Sequence, residues 1–266
     1  MKKGKSYKME FRKIGFWQLV LLAFLLNFVA QALHESGHWL VLETSGRAPV
    51  WNFNGLVQTW GDPPPLHPQQ WLAVTSPDGE KGWEMLASQP GRNGQMLMEI
   101  GGPLASVLGV ILGLSLMRFN RNPIVKQVGL VMALIITLVM GFYYLRGFTR
   151  PNGDEYFLAA LLGIPKYILM IPFSIFYVAS FILEVLALGD WRTRLKWLGA
   201  VMFGSLPAGL FLVYSSGFVL SQVDQGNPFF QPVLGWSLPV LAVNLAALLA
   251  LLFWFRRAVR RNKDGG

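Results

Sequence analysis

The chain has 266 residues, 53% hydrophobic and only 14% charged, which is too little charge to cover the surface of a soluble domain of this size. It has no cysteine, which excludes disulfides and any cysteine-ligated metal. The net charge of +9 is concentrated at the ends of apolar blocks, so orientation in a membrane accounts for it and nucleic-acid binding does not.

In chain order, apolar run length predicts six membrane spans at about 14–42, 96–117, 127–146, 165–188, 197–219 and 233–255. Each is long enough for a hydrocarbon core of about 30 Å at about 1.5 Å per residue. The first run follows a basic stretch, as in a signal peptide. It continues through Leu42 with no small-residue cleavage site, and is read as a retained span. The expected fold class is an all-α membrane protein, a polytopic helical bundle with a small extramembrane loop or β segment after the first helix. Its expected divisions are a basic N-terminal segment at 1–13, a membrane core at 14–165 that includes the loop 43–95, accessory transmembrane helices at 166–255, and a basic tail at 256–266.

Lys and Arg set the orientation. Lys2, Lys3, Lys5, Lys8, Arg12 and Lys13 precede the first span, Arg118, Arg121 and Lys126 separate the second from the third, Arg192, Arg194 and Lys196 separate the fourth from the fifth, and Arg256, Arg257, Arg260, Arg261 and Lys263 follow the sixth. Six spans put all of these on one side, and cationic loops stay inside, so both termini are expected to be cytoplasmic in a multi-pass protein of the cell membrane. The segments 43–95, 147–164 and 220–232 then face out. Within 43–95, Pro49–Trp60 combines aromatic and β-branched residues around a glycine and predicts a short strand or hairpin. Pro63-Pro64-Pro65 must be extended.

The first span carries His34-Glu35-Ser36-Gly37-His38, an H-E-x-x-H sequence. Residues four apart share a helix face, so both imidazoles reach one ion, and Zn2+ accepts two histidines while leaving room for water. Glu35 is placed to take a proton from that water and pass it to a leaving amine. Ionisable groups are costly inside a membrane and mark functional sites there. Asn27, Gln31, His34 and His38 follow one another at spacings of four, three and four, which makes one polar stripe on an apolar helix. Asn27 and Gln31 are candidates to orient substrate or water. Arg146 and Arg150 are candidates for an oxyanion contact or for interfacial anchors.

A catalytic zinc site needs a third protein ligand. Asp154, in Pro151-Asn152-Gly153-Asp154-Glu155, emerges on the same side as the outer half of the first span and is favoured on that topology. His67, Glu155, Glu99 and Glu43 remain alternatives, and an N-cap role is the competing reading of Asp154. On the second span, Gly101, Ala105, Gly109 and Gly113 repeat every four residues, a stripe that admits close approach of another helix. Gly102 and Pro103, at the start of that stripe, are candidates for substrate contact.

With these motifs the chain resembles the site-2 protease family of intramembrane zinc metalloproteases. The likeness spans about residues 25–165 and rests on His34-Glu35-Ser36-Gly37-His38, the Gly101-Gly102-Pro103-Leu104-Ala105-Ser106 segment, and Pro151-Asn152-Gly153-Asp154. It implies His34, His38 and Asp154 as zinc ligands, Glu35 as the general base, and a membrane-embedded or membrane-adjacent protein as substrate. It also implies a strand near the site that pairs with unfolded substrate, a role residues 49–60 can take by β-augmentation. The chain departs from the family pattern in two places. Glu155 follows Asp154 where the family has glycine, and Ser106 stands where it often has asparagine. Family members commonly open toward the cytoplasm, whereas the charge pattern here puts the site on the outer side. Two other readings compete: a non-catalytic metal-binding scaffold or regulator, and a metal transporter. The transporter would need polar residues through the last two spans, which offer almost none.

Overall fold

The computed structural model of the protein describes residues 14–44, 49–57, 71–75, 81–85, 91–149, 153–225, 227–230, 232–233 and 236–263. The basic segment 1–13, the triple proline, His67 and Arg150 lie outside the described residues.

The described elements, in chain order, are α1 (Phe16–Thr44), β1 (Val50–Trp51), β2 (Leu56–Val57), β3 (Trp71–Thr75), β4 (Lys81–Met85), α2 (Arg92–Phe119), α3 (Pro123–Gly147), α4 (Asp154–Leu162), α5 (Tyr167–Ala187), α6 (Trp191–Asp224), β5 (Pro232–Val233), β6 (Trp236–Ser237) and α7 (Leu238–Lys263). Six of the helices are long and apolar enough to cross a membrane, with α4 the exception. The protein is thus an all-α polytopic bundle. Helix starts follow local chemistry. Asn122 accepts from the Ile124 amide and Pro123 opens α3, while Asp190 accepts from the amides of Arg192 and Thr193 at the start of α6.

Helix α1 lies at the centre and packs on α2, α3, α6 and α7. Leu19, Leu22, Ala23 and Leu26 of α1 form one core with Leu130 and Leu134 of α3 and with Trp197, Ala200 and Val201 of α6. The expected small-residue stripe is where helices come together. A methyl on Gly113 would lie 2.6 Å from the Gly129 carbonyl oxygen on α3, and one on Gly37 of α1 would collide with the Gly101 carbonyl of α2. Large apolar side chains such as Ile175, Leu183, Phe203, Leu206, Leu249 and Phe253 point outward from α5, α6 and α7, as a lipid-facing surface requires.

Four features differ from the expectation. The hairpin expected in Pro49–Trp60 forms as β1 and β2, but β1 also pairs in parallel with β6, giving the sheet order β2-β1-β6-β5. The sixth span begins at Leu238 rather than 233, because the apolar residues before it are strands β5 and β6 and do not continue the helix. A second hairpin, β3–β4, lies in the loop between α1 and α2. Helix α6, expected among the accessory helices, lies along α1. The C-terminus of α1, the N-terminus of α2, the C-terminus of α3, α4 and the four-stranded sheet gather at one end of the bundle, opposite Arg118, Arg121 and Asp190.

Candidate metal centre

Helix α1 presents His34 and His38 one turn apart, with ring centroids separated by 5.0 Å and the two Nε2 atoms by 3.3 Å. The chain then brings a carboxylate from 116 residues further on. Gly153 has φ 103°, and the turn it makes sets Asp154 as the first residue of α4. Asp154 Oδ2 lies 3.5 Å from His34 Nε2 and 3.4 Å from His38 Nε2. These three donor atoms fall within 4.8 Å of one another, a group able to hold a metal ion.

The remaining ring nitrogens are fixed from behind. His38 Nδ1 is 2.8 Å from the Met98 carbonyl oxygen, which only accepts, so Nδ1 carries the hydrogen and the neutral ring turns a lone pair at Nε2 toward the centre. His34 Nδ1 is 2.9 Å from Ser106 Oγ. Two imidazole nitrogens and a carboxylate oxygen converging in this way are the donors a divalent cation takes.

Glu35 is 4% exposed, and its Oε1 accepts from Gln31 Nε2 at 2.6 Å and from the Gly55 amide at 2.9 Å. Among the described residues Oε2 carries no hydrogen bond. The Gly55 amide comes from the turn between β1 and β2, which is pinned to α6. Ser216 Oγ donates to the Asn54 carbonyl at 2.7 Å, Asn52 Nδ2 donates to the Ser216 carbonyl at 3.1 Å, and Phe53 packs edge-on against Phe211 at 5.3 Å. The expected hairpin therefore lies directly against the expected base.

The other expected residues separate into two groups. Gln31 belongs to the Glu35 network and also donates to Asn54 Oδ1 at 3.0 Å. Asn27 turns away from the centre, donating to the Ala23 carbonyl at 2.7 Å and to Ser205 Oγ of α6 at 2.9 Å, which makes it a contact between helices. Gly102 lies beneath the His38 ring, where any Cβ would occupy the place of the imidazole. Pro103 is buried inside α2 beside it. Arg146 is exposed in the last turn of α3, where a cation complements the helix C-terminus. Of the alternative third ligands, Glu155 turns to the Tyr144 hydroxyl, Glu43 is exposed at the end of α1, and Glu99 does not join the metal-holding group. Burial and the neighbouring Asp154 charge push the Glu155 carboxyl up.

Sequence reasoning missed the supports of this centre: the Met98 carbonyl, the Ser106 hydroxyl as a partner of His34, and the Tyr143, Tyr144 and Glu155 contacts around Asp154. These partners come from remote segments, and no local spacing marks them. Compared with known protein families, curated proteins and solved structures, the chain matches none.

Proposed function

We propose that the protein is a zinc-dependent intramembrane endopeptidase that hydrolyses a peptide bond in or next to the membrane. The observation that carries this reading is the convergence of His34 Nε2, His38 Nε2 and Asp154 Oδ2 on one point, with Glu35 one residue from the first ligand. His34, His38 and Asp154 would hold the metal. When bound, zinc polarises the scissile carbonyl and makes water more acidic. Glu35 takes a proton from the attacking water as oxygen bonds to the carbonyl carbon, and delivers it to the amine nitrogen as the C–N bond breaks. Gln31 and the Gly55 amide hold one oxygen of Glu35 and leave the other for this transfer. The edge strand β2, which follows the Gly55 turn, offers backbone groups to a locally unwound substrate segment by β-augmentation. By the charge rule the end of the bundle that holds the centre faces outward and both termini are cytoplasmic.

A purified sample loaded with zinc should cleave an unfolded membrane-spanning reporter, and Glu35→Gln should retain metal while losing cleavage. Cleavage by Glu35→Gln at the wild-type rate would remove Glu35 from the mechanism. One observation favours a second reading, a non-catalytic metal-binding scaffold or regulator: the turn at Gly55 already occupies Glu35 and leaves it 4% exposed. Stoichiometric zinc with no cleavage of any reporter would favour that reading.

A further inference from the structure

Asp154 is the only member of the metal-holding group that does not come from α1, and its own element is weak. Helix α4 has nine residues, too short to be stable without tertiary support. A ligand must nevertheless be held to within a few tenths of an ångström. Something outside α4 has to fix it.

The two residues flanking Asp154, and its own amide, are tied to consecutive tyrosines of α3. The Asp154 amide donates to the Tyr143 hydroxyl at 3.1 Å, and the same hydroxyl fills the space that a side chain at Gly153 would need. The Glu155 carboxylate accepts from the Tyr144 hydroxyl. Glu155 is 2% exposed and Tyr144 1% exposed. The Tyr144 ring is itself immobilised, stacked on Phe173 at 5.8 Å with an interplanar angle of 12° and on Tyr177 at 5.5 Å with an angle of 29°. An aromatic stack built by α3 and α5 thus ends in a hydroxyl that grips the residue next to the ligand. Among the described residues no Lys or Arg pairs with Glu155. A buried acid held by tyrosine hydroxyls and not by a cation contributes little to stability, where an apolar side chain would do better. Its placement beside Asp154 makes sense as an anchor.

We propose that Tyr144 and Glu155, assisted by Tyr143, are positioning residues that fix the first turn of α4 so that Asp154 Oδ2 meets the two imidazoles. This rests on the metal-centre reading above. It gives Glu155 a role that a smaller residue could not fill: its carboxylate serves the ligand without being one.

The test is a titration of the purified full chain with Co2+, read by visible absorption, since the ligand-field bands report coordination geometry. Tyr144→Phe removes one hydroxyl and keeps the stacked ring. Glu155→Leu removes the acceptor, and Glu155→Gln restores an acceptor oxygen without charge. The expected result is a Co2+ dissociation constant raised about 10- to 100-fold in Tyr144→Phe and Glu155→Leu, with altered band shape, and a return close to the wild-type value in Glu155→Gln. Should Glu155→Leu fail to fold, Tyr144→Phe carries the test alone. Wild-type affinity and spectrum in Tyr144→Phe, even with a lowered melting temperature, would overturn the proposal. A wild-type protein that binds no Co2+ would overturn the metal-centre reading itself, a failure distinct from unchanged variants of a protein that does bind.

Discussion

Substituting Gly102→Ala tests how closely the second helix controls the candidate centre. The added methyl would lie 2.7 Å from both Cδ2 and Cε1 of His38, and closer still to Nε2. Non-bonded ring atoms and a methyl settle at about 3.5 Å, so the contact to Nε2, at 2.1 Å, requires the ring to retreat by about 1.4 Å. It cannot do so freely, because His38 Nδ1 is held at 2.8 Å by the Met98 carbonyl. Metal–nitrogen distances tolerate about 0.2 Å, so the displacement is several times what coordination allows. Metal affinity should fall by about 10- to 100-fold, the range seen when groups that orient a ligand are lost, or one ligand should drop out altogether. The assay is a zinc titration against a metal buffer, with helix content followed by circular dichroism to show that the bundle survives. Gly141→Ala on α3 is the control, since its methyl would meet nothing within 4 Å. Wild-type zinc affinity in Gly102→Ala would refute the packing argument and return Gly102 to the role of a substrate contact.

Three further outcomes are expected from the geometry of the bundle. Asn27→Ala and Ser205→Ala should each destabilise the α1–α6 contact by about 0.6 kcal/mol, the mean for interhelical hydrogen bonds in membranes, and a double-mutant cycle should show the two effects to be shared. Zinc binding should be unchanged in both; lost zinc or cleavage with intact stability would place Asn27 back in the site. Gly113→Val should force α2 from α3, because even a methyl would lie 2.6 Å from the Gly129 carbonyl oxygen, and unfolding in denaturing detergent should show a loss of about 1–3 kcal/mol. At the other end of the bundle, the hydroxyl and amide of Thr193, with the Arg192 amide, hold the exposed Asp190 carboxyl below its ordinary value. The folded value is lower than the unfolded one of about 3.9, so this stabilisation is complete above that pH and lost as pH falls through the folded value. Asp190→Asn should therefore flatten the acid limb of the stability profile below about pH 4, and an unchanged limb would contradict the assignment.

The spans were legible because little besides a membrane crossing produces a long apolar run bounded by cations, and five of the six expected spans overlap their helices closely. The sixth shows the limit. Pro232-Val233 and Trp236-Ser237 carry no charge and run straight into the helix that follows, and run length alone does not separate such strands from the start of a span. Their antiparallel pairing with each other, and the parallel pairing of Trp236 with Trp51 from the far side of the sequence, make them strands. Helix α4 was hidden for a related reason: nine residues are too few to register as a span, and its first residue was of interest as a ligand. At the centre, His34 and His38 were legible from their spacing alone. Asp154 was legible only through topology, and its neighbour Glu155 remained a rival until the Tyr144 hydroxyl claimed it. Asn27 shares the helix face of the histidines, yet its partner Ser205 lies on a helix 178 residues away, which no local pattern reveals.

The most direct measurement is the metal content of the purified chain, by elemental analysis, in the wild type and in His34→Ala, His38→Ala and Asp154→Ala. One zinc per wild-type chain, lost in all three variants and kept in Glu35→Gln, is the predicted result. A wild type without stoichiometric zinc, or an Asp154→Ala that retains it, would contradict the proposed centre.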